Sequence, residues 1–138
     1  MTKQEIFNSM NENPVFYLAT QDGDQPRVRG MLLFRADENG IIFHTASTKD
    51  LYAQIMKNPK AELCFSCKGK QIRATGVLEQ NDDPQLREEI FSHPTRKFLQ
   101  AWKDNGIDKL MKVFIMKNAT ATTWTMETNF DPKVPIQL

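Results

Sequence analysis

The sequence predicts a mainly β fold: an antiparallel sheet or barrel of six or seven short strands with helices inserted between them. Three observations predict it. Short runs rich in Val, Ile, Phe and Thr recur through both halves of the 138-residue chain, separated by Gly-, Asp- and Asn-bearing turns. Neighbouring runs lie close enough in sequence to pair as a meander. No G-x-G-x-x-G occurs and no regular crossover helices separate the strands, which argues against a βαβ nucleotide fold.

Residues 3–10 read as a short helix, with Ile6, Phe7 and Met10 along one side. Pro14 marks its end, and residues 15–20 read as the first strand. Asp22, Gly23 and Asp24 turn the chain into a second strand, residues 27–35. Glu38, Asn39 and Gly40 then lead to a third, residues 41–45. A helix over residues 48–57 buries Leu51, Tyr52, Ile55 and Met56. Ser47 is placed to cap its free amides, with Asp50 in the reciprocal position. Strands follow at 61–66 and 71–79, around the turn Lys68-Gly69-Lys70. Residues 83–104 read as one or two helices broken near His93-Pro94, and strands at 110–116 and 119–126 complete the domain. The expected organisation is one domain over 1–138, with an N-terminal helix in 1–13 and a C-terminal tail at 127–138. With two prolines and little periodicity, that tail is expected to be loose or to lie across a partner subunit.

Composition excludes several classes. Forty per cent hydrophobic residues fit a globule, and 18 Lys and Arg against 17 Asp and Glu leave a formal charge of only +1, without the basic excess of a general nucleic-acid binder. The first residues lack the apolar stretch of a signal peptide, and no apolar run approaches a membrane span; the expected location is cytoplasmic, with no membrane partner. Cys64 and Cys67 form a lone C-x-x-C in a run that reads as strand. Residues three apart on a strand face opposite ways, which favours reduced structural cysteines over a redox pair or a zinc half-site.

The informative segment is PRVRGMLLF. Alternation places Arg27, Arg29, Met31 and Leu33 on one face and Val28, Gly30, Leu32 and Phe34 on the other. Such a strand is either an edge guarded by charge or a ligand surface on which Gly30 permits close approach. FHTASTK, residues 43–49, ends a strand and opens a helix. Hydroxyls of Thr45, Ser47 and Thr48, the Lys49 ammonium and free helix amides can converge there on a phosphate, with Arg27 and Arg29 supplying bidentate contacts. Taken alone, Ser47 is an ordinary cap. His44 is a structural histidine or a hydrogen-bond donor beside a ligand, and Trp124, on a strand with Thr120 and Thr122, stacks on a flat ring or packs at an interface.

With RGMLLF, FHTASTK and KQIRATG in this order, the chain resembles the pyridoxamine 5′-phosphate oxidase-like, FMN-binding split-barrel family over nearly its whole length. The resemblance implies a six- or seven-stranded antiparallel split β-barrel binding FMN in the clefts of a homodimer. It implies that Arg29 approaches the phosphate with Arg27 as helper, and that the strand through Gly30, Met31 and Leu32 runs beside the flavin. Thr45 would contact the cofactor, Ser47 and Lys49 would belong to a phosphate-binding turn, and Gln71 would reach the flavin, commonly from the other subunit. Thr48 stands where the oxidase has arginine and Phe34 where it has lysine. The chain ends in TTWTMETNFDPKVPIQL, without the arginine- and histidine-bearing segment that holds pyridoxal phosphate. Oxidation of pyridoxamine 5′-phosphate is therefore not expected; a general-stress-protein-like or flavin-reductase-like short member fits better.

No Ser-His-Asp set or carboxylate pair stands out, and flavin chemistry requires none. The leading expectation is an FMN-dependent oxidoreductase passing electrons between a reduced nicotinamide or other donor and a small acceptor. The alternatives are a non-enzymatic flavin- or haem-binding or sensing protein on the same dimeric barrel, and a structural dimer whose pocket is vestigial.

Overall fold

The computed structural model describes residues 1–138. Helix α1 (Lys3–Glu12) opens with a reciprocal cap: the Thr2 hydroxyl accepts from the Glu5 amide at 3.1 Å, and the Glu5 carboxylate accepts from the Thr2 amide at 2.8 Å. Its Ile6, Phe7 and Met10 are buried, as their spacing predicts. Strands β1 (Val15–Asp22) and β2 (Gln25–Leu32) form a hairpin, followed by β3 (Arg35–Asp37) and β4 (Gly40–Ala46). Helix α2 (Asp50–Lys57) leads to β5 (Lys60–Cys67) and the long β6 (Lys70–Gln80). Helix α3 (Pro84–Ser92), a 3₁₀ segment (Pro94–Leu99) and α4 (Gln100–Asp104) precede β7 (Met111–Met116), β8 (Thr120–Thr125) and β9 (Ile136–Gln137).

The mainly antiparallel architecture is the one the sequence predicts, but there are nine strands rather than six or seven, and the sheet does not close. One added strand arises because the run read as residues 27–35 is broken. The Leu33 amide donates to Pro14 O at 2.8 Å while the next amide, Phe34, donates to Ile42 O at 2.8 Å. The chain thus leaves one half of the barrel for the other within two residues. The other added strand is in the tail, where Ile136 and Gln137 pair with Ala121 and Thr120 of β8 in the same chain. Those two residues are therefore held on the sheet of their own chain rather than loose.

Strand β6 joins the two halves. Lys70–Thr75 pairs with β8 and Leu78–Gln80 with β7, while β5 runs along the other edge. Gly76 sits at the change of partner, where a Cβ would lie 3.0 Å from Met116 Cγ. Gly40 is more constrained: its φ is +127°, and a Cβ would fall 2.5 Å from Ile115 Cγ2 and 3.0 Å from the Met116 carbonyl oxygen. Gly40→Ala is expected to destabilise the fold by about 1–3 kcal/mol through overpacking and backbone strain, measured as a lower midpoint in urea. An unchanged midpoint would show that β4 and β7 can separate there at little cost.

The main core lies between the halves, with Phe16 stacked on Phe65 at 4.9 Å and edge-on to Phe43 at 5.6 Å. A smaller core on the other face of β4 and β7 gathers Ile42, Val113 and Ile115 under Ile90 and Leu99. Cys64 and Cys67 are free thiols; burial pushes both above the usual thiol range, which opposes thiolate chemistry.

Candidate functional site

A cleft of about 710 Å³ opens between β2 and α2. Strand alternation turns Arg27 and Arg29 toward it, and Asp50, Gln54 and Lys57 of α2 face them; Leu51, though buried, also borders the cleft, and Ile55 points into the core. Arg27, Arg29, Lys49 and Lys57 all line it, against only two carboxylates, Asp22 and Asp50. Arg27 is partly neutralised by Asp22, its Nε lying 3.2 Å from Oδ2 on the surface. Arg29 has no carboxylate partner. Its Nη1 donates to Thr20 Oγ1 at 2.7 Å and to Leu18 O at 3.3 Å, and its Nη2 donates to Gln54 Oε1 at 2.5 Å. Burial and the neighbouring Arg27 lower its pKa from the ordinary arginine value, the signature of a cation crowded by its surroundings and not offset by an acid.

The start of α2 corrects the sequence reading. Its N-cap is Lys49, with extended backbone and no side-chain hydrogen bond, so Ser47 does not cap the helix and the reciprocal Asp50 contact does not form. The Ser47 amide instead donates to Leu110 O at 2.8 Å. Thr48 is exposed, and the first turn of α2 keeps amides that no side chain has claimed. Thr45 belongs to β4, is only 3% exposed, and its hydroxyl has no partner within the chain.

The remaining predicted residues lie elsewhere. Met31 packs on the main core, while Gly30 and Leu32 face out from β2. A Cβ on Gly30 would meet only Tyr17 Cε1, at 3.9 Å, so that surface is open. Gln71 and Trp124 are cross-strand partners on β6 and β8, outside the cleft, and Trp124 Nε1 donates to Asn129 Oδ1 at 2.8 Å. Strand register puts both on the same outer sheet face as Gly30 and Leu32. At the β1–β2 end this face carries Val15, Tyr17, Val28 and Leu32, all exposed.

His44 is on the opposite side of β4 from Thr45, in the smaller core. Its Nε2 accepts from Arg96 Nε at 2.8 Å. Burial, then Arg96, then Lys49 push its pKa down to about 4, so it is neutral over the physiological range. It is therefore engaged structurally at Nε2, and sequence reading missed the residue that engages it. Sequence reading also missed Thr20, Gln54 and Lys57. The last two were recoverable from helical period, since positions 53, 54 and 57 complement the apolar 51, 52 and 55.

The family model described as pyridoxamine 5′-phosphate oxidase matches residues 2–125. The chain belongs to the pyridoxamine 5′-phosphate oxidase family. It is 31% identical over 122 residues to the pyridoxine/pyridoxamine 5′-phosphate oxidase of Rhizobium meliloti, covering 86% of this chain and 59% of that protein. It is also 31% identical over 114 residues to that of Brucella ovis, covering 80% and 55%. The chain thus spans somewhat more than half the length of these curated relatives. Among solved structures, a nimC/nimA family protein from Clostridium acetobutylicum superposes with a TM-score of 0.75 at 26% identity, covering 98% of this chain and 92% of that one. General Stress Protein 26 from Bacillus anthracis does so at 0.76 and 18%, covering 99% and 98%. A pyridoxamine 5′-phosphate oxidase-related, FMN-binding protein from Nostoc punctiforme gives 0.69 and 15%, covering 99% and 95%. These likenesses bear out the split-barrel reading.

Proposed function

We propose that this family member binds FMN with its phosphate in the β2–α2 cleft and serves as an FMN-dependent oxidoreductase between a reduced nicotinamide, or another donor, and a small acceptor. The observation that carries the reading is the un-neutralised Arg29 guanidinium beside Lys49 and the uncapped start of α2. Such a donor set suits a doubly charged phosphate, combining bidentate hydrogen bonding, a mobile ammonium and free amides. Lys57 and Arg27 offset the two cationic contacts that Thr48 and Phe34 do not provide. The FMN-binding description of the Nostoc protein and the FAD-binding description of a Mesorhizobium loti neighbour are in keeping with this ligand class.

When bound, the flavin supplies hydride and single-electron chemistry. The protein's contribution is placement: Arg29, Lys49 and the α2 amides hold the phosphate, and the open backbone at Gly30 gives a flat group room along the sheet. Gln71 and Trp124 are turned away from the cleft of their own chain, so they contribute only if a second copy presents them. A homodimer assembled through the exposed Val15, Tyr17, Val28 and Leu32 surface is accordingly part of the proposal.

Titrating the purified chain with FMN while following flavin fluorescence, with molar mass measured in parallel by light scattering, tests the reading. The expected result is saturable binding at one FMN per chain and the mass of a dimer. Absorbance should then bleach on addition of a reduced nicotinamide or another reductant. Absence of FMN binding, or a Soret band on the protein as isolated, would overturn it.

A further inference from the structure

Every acceptor around Arg29 is electrically neutral. Its Nη1 donates to the Thr20 hydroxyl and the Leu18 carbonyl, and its Nη2 to the Gln54 side-chain carbonyl. Thr20 is 4% exposed and its hydroxyl donates in turn to Gln54 Oε1 at 2.8 Å, closing a three-membered network across β1, β2 and α2. The orientation of the Gln54 amide follows from its neighbours, because a guanidinium can only donate and so must meet the oxygen. The network immobilises a long, flexible side chain while leaving its charge whole. A carboxylate at position 54 would hold the guanidinium at least as firmly and would cancel that charge.

We infer that Gln54, with Thr20 behind it, is a positioning residue that fixes Arg29 as a preformed, un-neutralised anion clamp, and that its amide chemistry sets the chain's preference for a phosphate-bearing flavin over the same flavin without phosphate. The inference rests on the proposed phosphate site and adds to it a residue and a selectivity. Two effects are separable. Losing the neutral acceptor frees rotamers that ligand binding must then freeze again, a penalty of roughly three- to tenfold in affinity. Placing a carboxylate there removes the charge-assisted contribution, about tenfold or more.

The test compares FMN with riboflavin, which lacks the phosphate, by calorimetry on the full chain. Wild type, Gln54→Leu, Gln54→Glu, Arg29→Ala and the Arg29→Ala/Gln54→Glu pair are measured at two salt concentrations. The expected result is that Gln54→Glu weakens FMN by about tenfold or more with riboflavin affinity and melting temperature unchanged. Gln54→Leu should fall between wild type and Gln54→Glu, and Gln54→Glu should add nothing once Arg29 is gone. A structural role alone would move FMN and riboflavin together. If Arg29→Ala erases the FMN preference while Gln54→Glu retains it, the role given to Gln54 is wrong and the phosphate site stands. If wild type binds both flavins equally and Arg29→Ala changes neither, the phosphate site itself is wrong.

Discussion

Replacing Arg29 and Lys49 together with alanine is expected to lower affinity for FMN by about a hundredfold or more while the fold survives. Each charge-assisted contact to a phosphate is worth about 1.5–3 kcal/mol; two would sum to about 3–6 kcal/mol if additive, and because neighbours acting on one group fall short of additivity, roughly 3 kcal/mol is the working figure. The fold should tolerate the change for an identifiable reason. When Arg29 is removed, the buried Thr20 hydroxyl still donates to Gln54 Oε1, so no buried polar atom is stranded. Lys49 is exposed, and its side chain caps nothing. Calorimetry gives the affinity and far-ultraviolet circular dichroism the fold. Unchanged FMN affinity in a folded double variant would remove the cleft from consideration as the phosphate site. Since part of the attraction is ionic and the cleft is open to solvent, added salt should weaken wild-type binding modestly and the double variant less.

The parts of this molecule written in local pattern are legible in the amino-acid sequence itself. The period of Ile6, Phe7 and Met10 marks α1, the Asp22–Asp24 turn marks the β1–β2 hairpin, and the helix break falls at His93-Pro94 as the proline requires. Alternation along β2 likewise sets Arg27 and Arg29 on one face, and the cleft lies on that face. What escapes is decided by partners distant in sequence. The amides of Leu33 and Phe34 bond to different halves of the barrel, a choice made by Pro14 and Ile42 and not by any feature of the FRAD stretch. The change of partner along β6 at Gly76 and the pairing of Ile136 with Ala121 are of the same kind.

The site divides along the same line. Ser47 has the chemistry of a cap, but the helix begins two residues later than a Ser47 cap requires, and boundary shifts of that size lie beyond propensity. Gln54 reads as an ordinary polar helix residue until β2 places Arg29 against it. Arg96 is the extreme case: it reads as a surface arginine between Thr95 and Lys97, yet it is 2% exposed.

Arg96→Met is expected to be the most destabilising single change in the chain, about 3 kcal/mol or more in chemical denaturation. The wild-type guanidinium has no carboxylate partner; it is held by His44 Nε2 at 2.8 Å, Leu33 O at 2.9 Å and Thr95 Oγ1 at 3.0 Å, and its carbon lies 5.5 Å from the Phe34 ring centre. It therefore ties the 3₁₀ segment to β4 and to the crossing at Leu33, and methionine fills the volume while leaving His44 Nε2 and Leu33 O without their donor; the exposed Thr95 hydroxyl keeps its contact with His93 Nδ1 at 2.7 Å. A pH signature separates this account from generic loss of packing. In the folded chain burial, then Arg96, then Lys49 hold His44 at about 4, against an ordinary histidine value of 6.5. Between those values the unfolded chain takes up a proton that the folded chain refuses, so wild-type stability falls as pH drops from about 6.5 to about 4 and levels off below, a loss on the order of 2–3 kcal/mol. Removing Arg96 removes one of the two cations opposing that proton, so His44 titrates higher, the acid loss shrinks, and the stability gap between wild type and variant narrows toward pH 4. Denaturation at several pH values, with His44 followed by NMR, reads both quantities. A gap that stays constant with pH, or a wild-type His44 titrating near its ordinary value, would mean that the Arg96–His44 contact does not govern the proton.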